Sequence, residues 1–298
     1  MNNQVKLAII TITITIPLIS FAVFSSDSNQ FQKSNESKLQ VISSFYPLHE
    51  FSQKVGQEKV DAKLLVPVGI EPHDWEPTIK DVQLMQKSDL IIINGLGFEN
   101  WVDKLTEIDY QGIVVDTSNG IIVKNSDDIS ANDDPHIWLN PVFAKIQVQN
   151  IANAFSDSDP ENQQYFQKNA ANYIHELDLL DLKIRTELTN CNRDFISFHD
   201  SFSYFADEYD LTPHTIISSY SPHAEPTAKT LENVINNARQ LNLKIIFTEE
   251  TADPKTSKVI ANEIGGKTLV LSSLEIADNG TYISRMNENL NHLKEALC

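Results

Sequence analysis

Short runs of β-branched and apolar residues alternate with helical stretches along this chain, and the rhythm is played twice. Four such runs, at 39–43, 61–66, 90–94 and 112–116, precede a long amphipathic stretch; four more, at 195–198, 212–217, 245–248 and 268–271, come after it. Strands that alternate with helices predict an α/β fold with parallel pairing. Helices are expected at 47–55, 79–86, 201–209, 228–242, 254–264 and 283–296. A further one starts at Asn140-Pro141, where proline sits harmlessly in a first turn. The stretch between the two sets, 159–188, carries Phe166, Ala170, Tyr173, Leu177, Leu180 and Ile184 at steps of four and three, which puts them on one helical face.

Composition sets the outer limits. A chain of 298 residues, 41% hydrophobic, can bury one large core or two moderate ones. A net charge of −18 argues against nucleic acid as a partner, because a phosphate backbone would be repelled. Residues 7–24 form an uncharged, mostly apolar run that fits a signal peptide or an uncleaved membrane anchor, so the protein is expected outside the cytoplasmic membrane. Residues 25–38 are polar and rich in Ser, Asn and Gln, as a flexible spacer would be. Both cysteines, Cys191 and Cys298, lie far from the leader, so the reading is that the protein is not a lipoprotein. In an exported chain they permit one disulfide that would pin the C-terminal helix; the alternative is two unpaired thiols.

Three histidines sit in distinctive settings: His73 in GIEPHDWEP, His136 in DDPHIWLNP and His199 in ISFHDS. Neutral imidazole suits borderline-soft divalent ions, and three can make most of a zinc site. No local zinc signature is present, so these residues meet only if the fold brings them together. These motifs, with SPHAEPT at 221–227 and IFTE at 246–249, resemble the metal-binding solute receptors of bacterial and archaeal ABC importers, over roughly residues 40–297. Members of that family capture zinc or manganese outside the cell and deliver it to a membrane permease.

The resemblance implies two lobes, each a mostly parallel sheet flanked by helices, joined by a long rigid connecting helix: 39–158, then 159–189, then 190–298. It implies that His73 and His136 from the first lobe and His199 from the second bind the metal between them. Relatives supply a fourth ligand, an Asp, where this chain has Ser272. A serine hydroxyl is a feeble zinc ligand, so water is expected in the fourth place, with Glu275 second and Glu71 third. Asp74 and Asp200 are candidate acceptors for an imidazole N–H, and Glu249 a cleft residue that hydrogen-bonds a histidine. Histidine at position 199 favours Zn2+ as the transported ligand, with Mn2+ second. The expected partners are the metal and an ABC permease, with the receptor itself a monomer. A zinc hydrolase would need a base motif that the sequence lacks, and nothing marks a surface for adhesion.

Overall fold

A computed structural model describes residues 38–123, 133–223, 225–250 and 252–298. The expected leader and most of the spacer lie outside them. No helix among the described residues is long and apolar enough to cross a membrane.

Among the described residues eight strands and nine α-helices run in order: β1 (Leu39–Ser43), α1 (Tyr46–Gly56), β2 (Val60–Leu64), α2 (Ile79–Met85), β3 (Leu90–Ile93), α3 (Lys104–Glu107), β4 (Ile113–Asp116), α4 (Pro141–Ser158), α5 (Gln163–Leu188), β5 (Asp194–His199), α6 (Ser203–Glu208), β6 (Thr212–Ile217), α7 (Ala228–Gln240), β7 (Ile245–Thr248), α8 (Pro254–Glu263), β8 (Lys267–Val270) and α9 (Tyr282–Leu297). They build two four-stranded parallel sheets, ordered β2-β1-β3-β4 and β6-β5-β7-β8. In each, the first strand has neighbours reached by crossovers in opposite directions. The crevice at such a reversal, outside the carboxyl ends of the strands, is where open parallel sheets hold ligands.

Why the strands read as unbroken apolar runs is visible in their two faces. Leu90 and Ile92 of β3 enter a core shared with α1, α4, α5 and α9, whereas Ile91 and Ile93 pack with Met85, Trp101 and Leu105 on the opposite side. In the second sheet Phe195 and Phe247 join the shared core, while Ile196, Phe198 and Ile246 pack under α7 and α8. Both sheets therefore rest one face on the same apolar mass. Helix α5 is central to it: Phe166, Ala170, Tyr173, Leu177, Leu180, Ile184 and Leu188 are all buried there. Each of the larger of these side chains contributes roughly 1.5–3 kcal/mol of burial, so the two sheets are held by packing as well as by the chain between them.

Starts of helices are chemically marked. Asn140 accepts from the Val142 N–H with Pro141 in the first turn, and Asp253 accepts from Lys255 ahead of Pro254. Thr281 and Ser284 form a capping box at α9. At its other end α9 is tied to the chain just past α5 by the Cys191–Cys298 disulfide, Cα–Cα 4.6 Å.

Candidate metal centre

Each residue of the candidate site lies at or beyond the carboxyl end of a strand. His73 comes from the β2–α2 loop, His136 from the segment before α4, His199 ends β5, and Glu275 lies in the loop between β8 and α9. All four are buried. His73 Nε2 and His199 Nε2 each stand 3.3 Å from His136 Nε2. Glu275 Oε1 is 3.5 Å from His73 Nε2, 3.4 Å from that of His136 and 3.6 Å from that of His199. A four-coordinate zinc with bonds of about 2.0–2.1 Å sets its ligand atoms about 3.3–3.4 Å apart. Five of the six edges of such a tetrahedron are present, at 3.3–3.6 Å.

The outer shell fixes which nitrogen faces inward. His136 Nδ1 is 2.7 Å from Asp134 Oδ1, and His199 Nδ1 is 2.6 Å from Glu249 Oε2. A carboxylate only accepts, so each imidazole donates from Nδ1, and its neutral form aims the Nε2 lone pair at the centre. Lone pairs of two nitrogens and a carboxylate then converge on one point. Neither oxygen of Glu275 makes a hydrogen bond. Such an arrangement is held together by a cation, or by protons in its place. Burial works against an imidazolium at His199, yet Glu249 and Glu275 outweigh it and raise its pKa to about 10. Burial also opposes the Glu275 charge, but the surrounding imidazoles of His136, His199 and His73 hold its carboxyl well below the usual carboxylate range.

Local sequence explains the delivery of each group. Glu71-Pro-His73 and Asp134-Pro-His136 share one device: the acid side chain accepts from the backbone N–H of the histidine two residues on, at 3.0 Å in each case. Asp134 is itself steadied by the Ser203 hydroxyl, and its backbone carbonyl accepts from Tyr204 at 2.9 Å. The loop bearing Glu275 is bracketed by Arg285, which donates to Ser272 Oγ at 2.7 Å and to the Ile276 carbonyl at 2.6 Å. Ser272 Oγ in turn accepts from the Leu274 N–H at 3.1 Å, and Trp138 Nε1 donates to the Ser273 carbonyl at 2.7 Å. Leu274 takes a left-handed φ of 59° that turns the chain there. Ser272 is thus committed to Arg285 and to its own loop.

The sequence reading and the geometry differ in the outer shell. Glu249 does accept from a histidine, His199, as expected, but the acceptor for His136 is Asp134; Asp74 instead accepts from Ser221 Oγ at 3.2 Å, and the Asp200 N–H donates to the Ser219 carbonyl at 3.2 Å. Glu71 Oε2 lies 3.5 Å from His223 Nε2. Asp134 is a partner that the sequence reading does not name. The signal was the repeated acid-Pro-His tripeptide. In the fourth place the reading put water ahead of Glu275, and the structure brings Glu275 Oε1 to within 3.4–3.6 Å of all three Nε2 atoms.

Two lobes, each a parallel sheet, with convergent imidazoles between them define a metal-receptor architecture. The chain matches the model of the family described as zinc-uptake complex component A periplasmic over residues 41–296, and it belongs to that family. Its members are receptors that bind a metal ion for an ABC transporter, not enzymes. The chain is 36% identical over 301 residues to the high-affinity zinc uptake system protein ZnuA of Bacillus subtilis (strain 168), covering 94% of each. It is 31% identical over 285 residues to the zinc-binding lipoprotein AdcA of Streptococcus pneumoniae serotype 4, covering 89% of this chain but 57% of AdcA. Among solved structures, the Zn(II)-bound ZnuA-like domain of Streptococcus pneumoniae AdcA superposes with a TM-score of 0.77 at 31% identity, over 87% of this chain and 99% of that one.

One expectation is corrected by these relatives. The sequence reading placed the protein outside the membrane and excluded a lipid anchor, because no cysteine comes directly after the apolar run. AdcA is named a lipoprotein, so attachment by lipid occurs among close relatives and the exclusion does not stand. It had rested on residues 1–37, which lie outside the described residues, rather than on anything in the folded domain.

Proposed function

We propose that this chain captures Zn2+ through His73, His136, His199 and Glu275 and delivers it to the permease of an ABC importer as a monomeric receptor. The observation that carries this reading is that His136 Nε2 stands 3.3 Å from the Nε2 atoms of His73 and His199, with Glu275 Oε1 3.4–3.6 Å from all three. Three nitrogens and one oxygen at four-coordinate spacing suit zinc, while manganese favours oxygen-rich octahedral sites. The names of the relatives, zinc uptake and zinc-binding proteins, favour the same ion.

The donors come from both sheets: two from the first, His199 and Glu275 from the second. A metal there ties lobe 39–158 to lobe 190–298, so that a permease recognising the closed arrangement recognises loaded receptor. The helix of 159–189 and the shared core restrict the opening that release requires. Zinc titration of the parent and of His199→Ala tests the assignment. One tight equivalent is expected for the parent. The variant keeps two imidazoles of the first lobe and the Glu275 carboxylate of the second, and its affinity falls by about 100-fold or more, since one of the four bonds is lost and the tie to the second lobe is reduced to a single donor. A variant that binds as tightly as the parent refutes the site.

A further inference from the structure

A second group of metal-type donors stands at the mouth of the same cleft. Glu71 and Asp74 belong to the β2–α2 loop and His223 to the β6–α7 loop, and one donor atom of each lies within 4.8 Å of the others. The two loops extend from strands of different sheets, and Ser221 Oγ already donates across to Asp74 Oδ2.

Glu71 is the residue that points to a ligand. Its side chain is only 5% exposed. Oε1 is occupied by the His73 N–H, while Oε2 is buried without a hydrogen bond and faces His223 Nε2 at 3.5 Å. A buried carboxylate oxygen left without a donor costs desolvation energy that a cation would recover. Asp134, in the matching tripeptide, uses both its oxygens, one on His136 and one on Ser203. Glu71 is longer by one methylene and turns its second oxygen away from its own histidine, towards the cleft mouth.

We propose that Glu71, Asp74 and His223 form a second, weaker divalent-cation site on which zinc docks before passing to the inner cluster. One imidazole and two carboxylates are a donor set that zinc accepts. The site is weaker because it offers three protein donors instead of four, and because the His223 side chain is 54% exposed, so water competes for the ion. Its place as a docking station rests on the inner cluster being the destination.

Calorimetric zinc titration of the full chain tests this in the parent, His223→Ala, Asp74→Asn and His199→Ala. The parent is expected to take two equivalents, the second weaker by about 100-fold. His223→Ala and Asp74→Asn keep the first equivalent, while the second weakens by about tenfold or more. His199→Ala shows the reverse, losing the tight equivalent and keeping the weak one, which separates failure of the outer site from failure of the inner one. Loading of the inner site at low zinc, read from the fluorescence of Trp138, whose ring centroid is 5.1 Å from that of His136, is expected to slow several-fold in His223→Ala. A parent that stops at one equivalent up to millimolar zinc would mean that Glu71 and His223 are an ion pair only. A second equivalent that survives both outer variants, or loading that does not slow when it is lost, also overturns the proposal.

Discussion

Asp134 and Glu249 show how a single carboxylate decides what a histidine can do. Each takes the Nδ1 hydrogen of one imidazole, at 2.7 and 2.6 Å, and so commits Nε2 to the centre. Loss of such an outer partner typically weakens a metal site by about 10–100-fold. Asp134→Asn should therefore lower zinc affinity by that factor with the stoichiometry unchanged, measured in competition with a chelator. An amide has one oxygen for the Oδ1 position that serves both the His136 N–H and Nδ1, and in its flipped form it puts NH2 there, which favours the wrong tautomer. Unchanged affinity would mean that packing against Trp138 alone orients His136. Ser272 teaches the converse lesson. Its hydroxyl is used by Arg285 and Leu274, so the residue that stands at the expected ligand position shapes the loop instead.

At the level of elements, the site depends on where strands end and on the loops that leave them. β8 is short, and the chain beyond it must travel through a buried loop to α9 before Glu275 reaches the histidines. Helix α9 anchors that loop through Arg285 and through Asn289, whose amide bonds both the N–H and the carbonyl of Ser272. Its far end is fastened by the disulfide, which closes a loop of 107 residues in sequence. A crosslink of that span stabilises a fold by about 2–5 kcal/mol. Replacing both cysteines by serine should reduce the denaturant midpoint accordingly, while zinc stoichiometry stays the same because the bridge lies at the opposite end of α9 from the Glu275 loop. Loss of tight zinc binding in that variant would show that the bridge holds the site and not only the helix.

For the whole molecule, the cluster links folding, pH and cargo. The folded pKa of His199, about 10, stands above its ordinary value of 6.5. A raised pKa contributes stability that is complete below pH 6.5 and disappears as the pH climbs towards 10. The metal-free protein should thus melt at progressively lower temperature across that window. Zinc must displace the same protons, so its stabilising effect should grow over the interval as they leave, and binding should release protons at pH 7. Scanning calorimetry with and without one equivalent of zinc, from pH 6.5 to 8.5, reads both trends. A zinc-induced shift that is constant with pH would mean that His199 is neutral in the empty site.

Period and propensity are local properties, and the features that rest on them were legible in the chain alone. The apolar runs became the eight strands within a residue or two, and the stepped face of Phe166 to Ile184 became the buried side of α5. The motifs of His73 and His136 were legible too, because short rigid Pro-containing segments carry their geometry with them. Contacts between distant parts of the chain had to wait for the packed molecule. No spacing rule connects Glu275 to His73, or His223 to Glu71, since the distance between them is set by how two sheets pack on one core. Which carboxylate completes the cluster was likewise settled by a left-handed turn at Leu274 and a clamp from α9. A ligand delivered by a loop is fixed by everything that holds the loop, and those partners are scattered through the sequence.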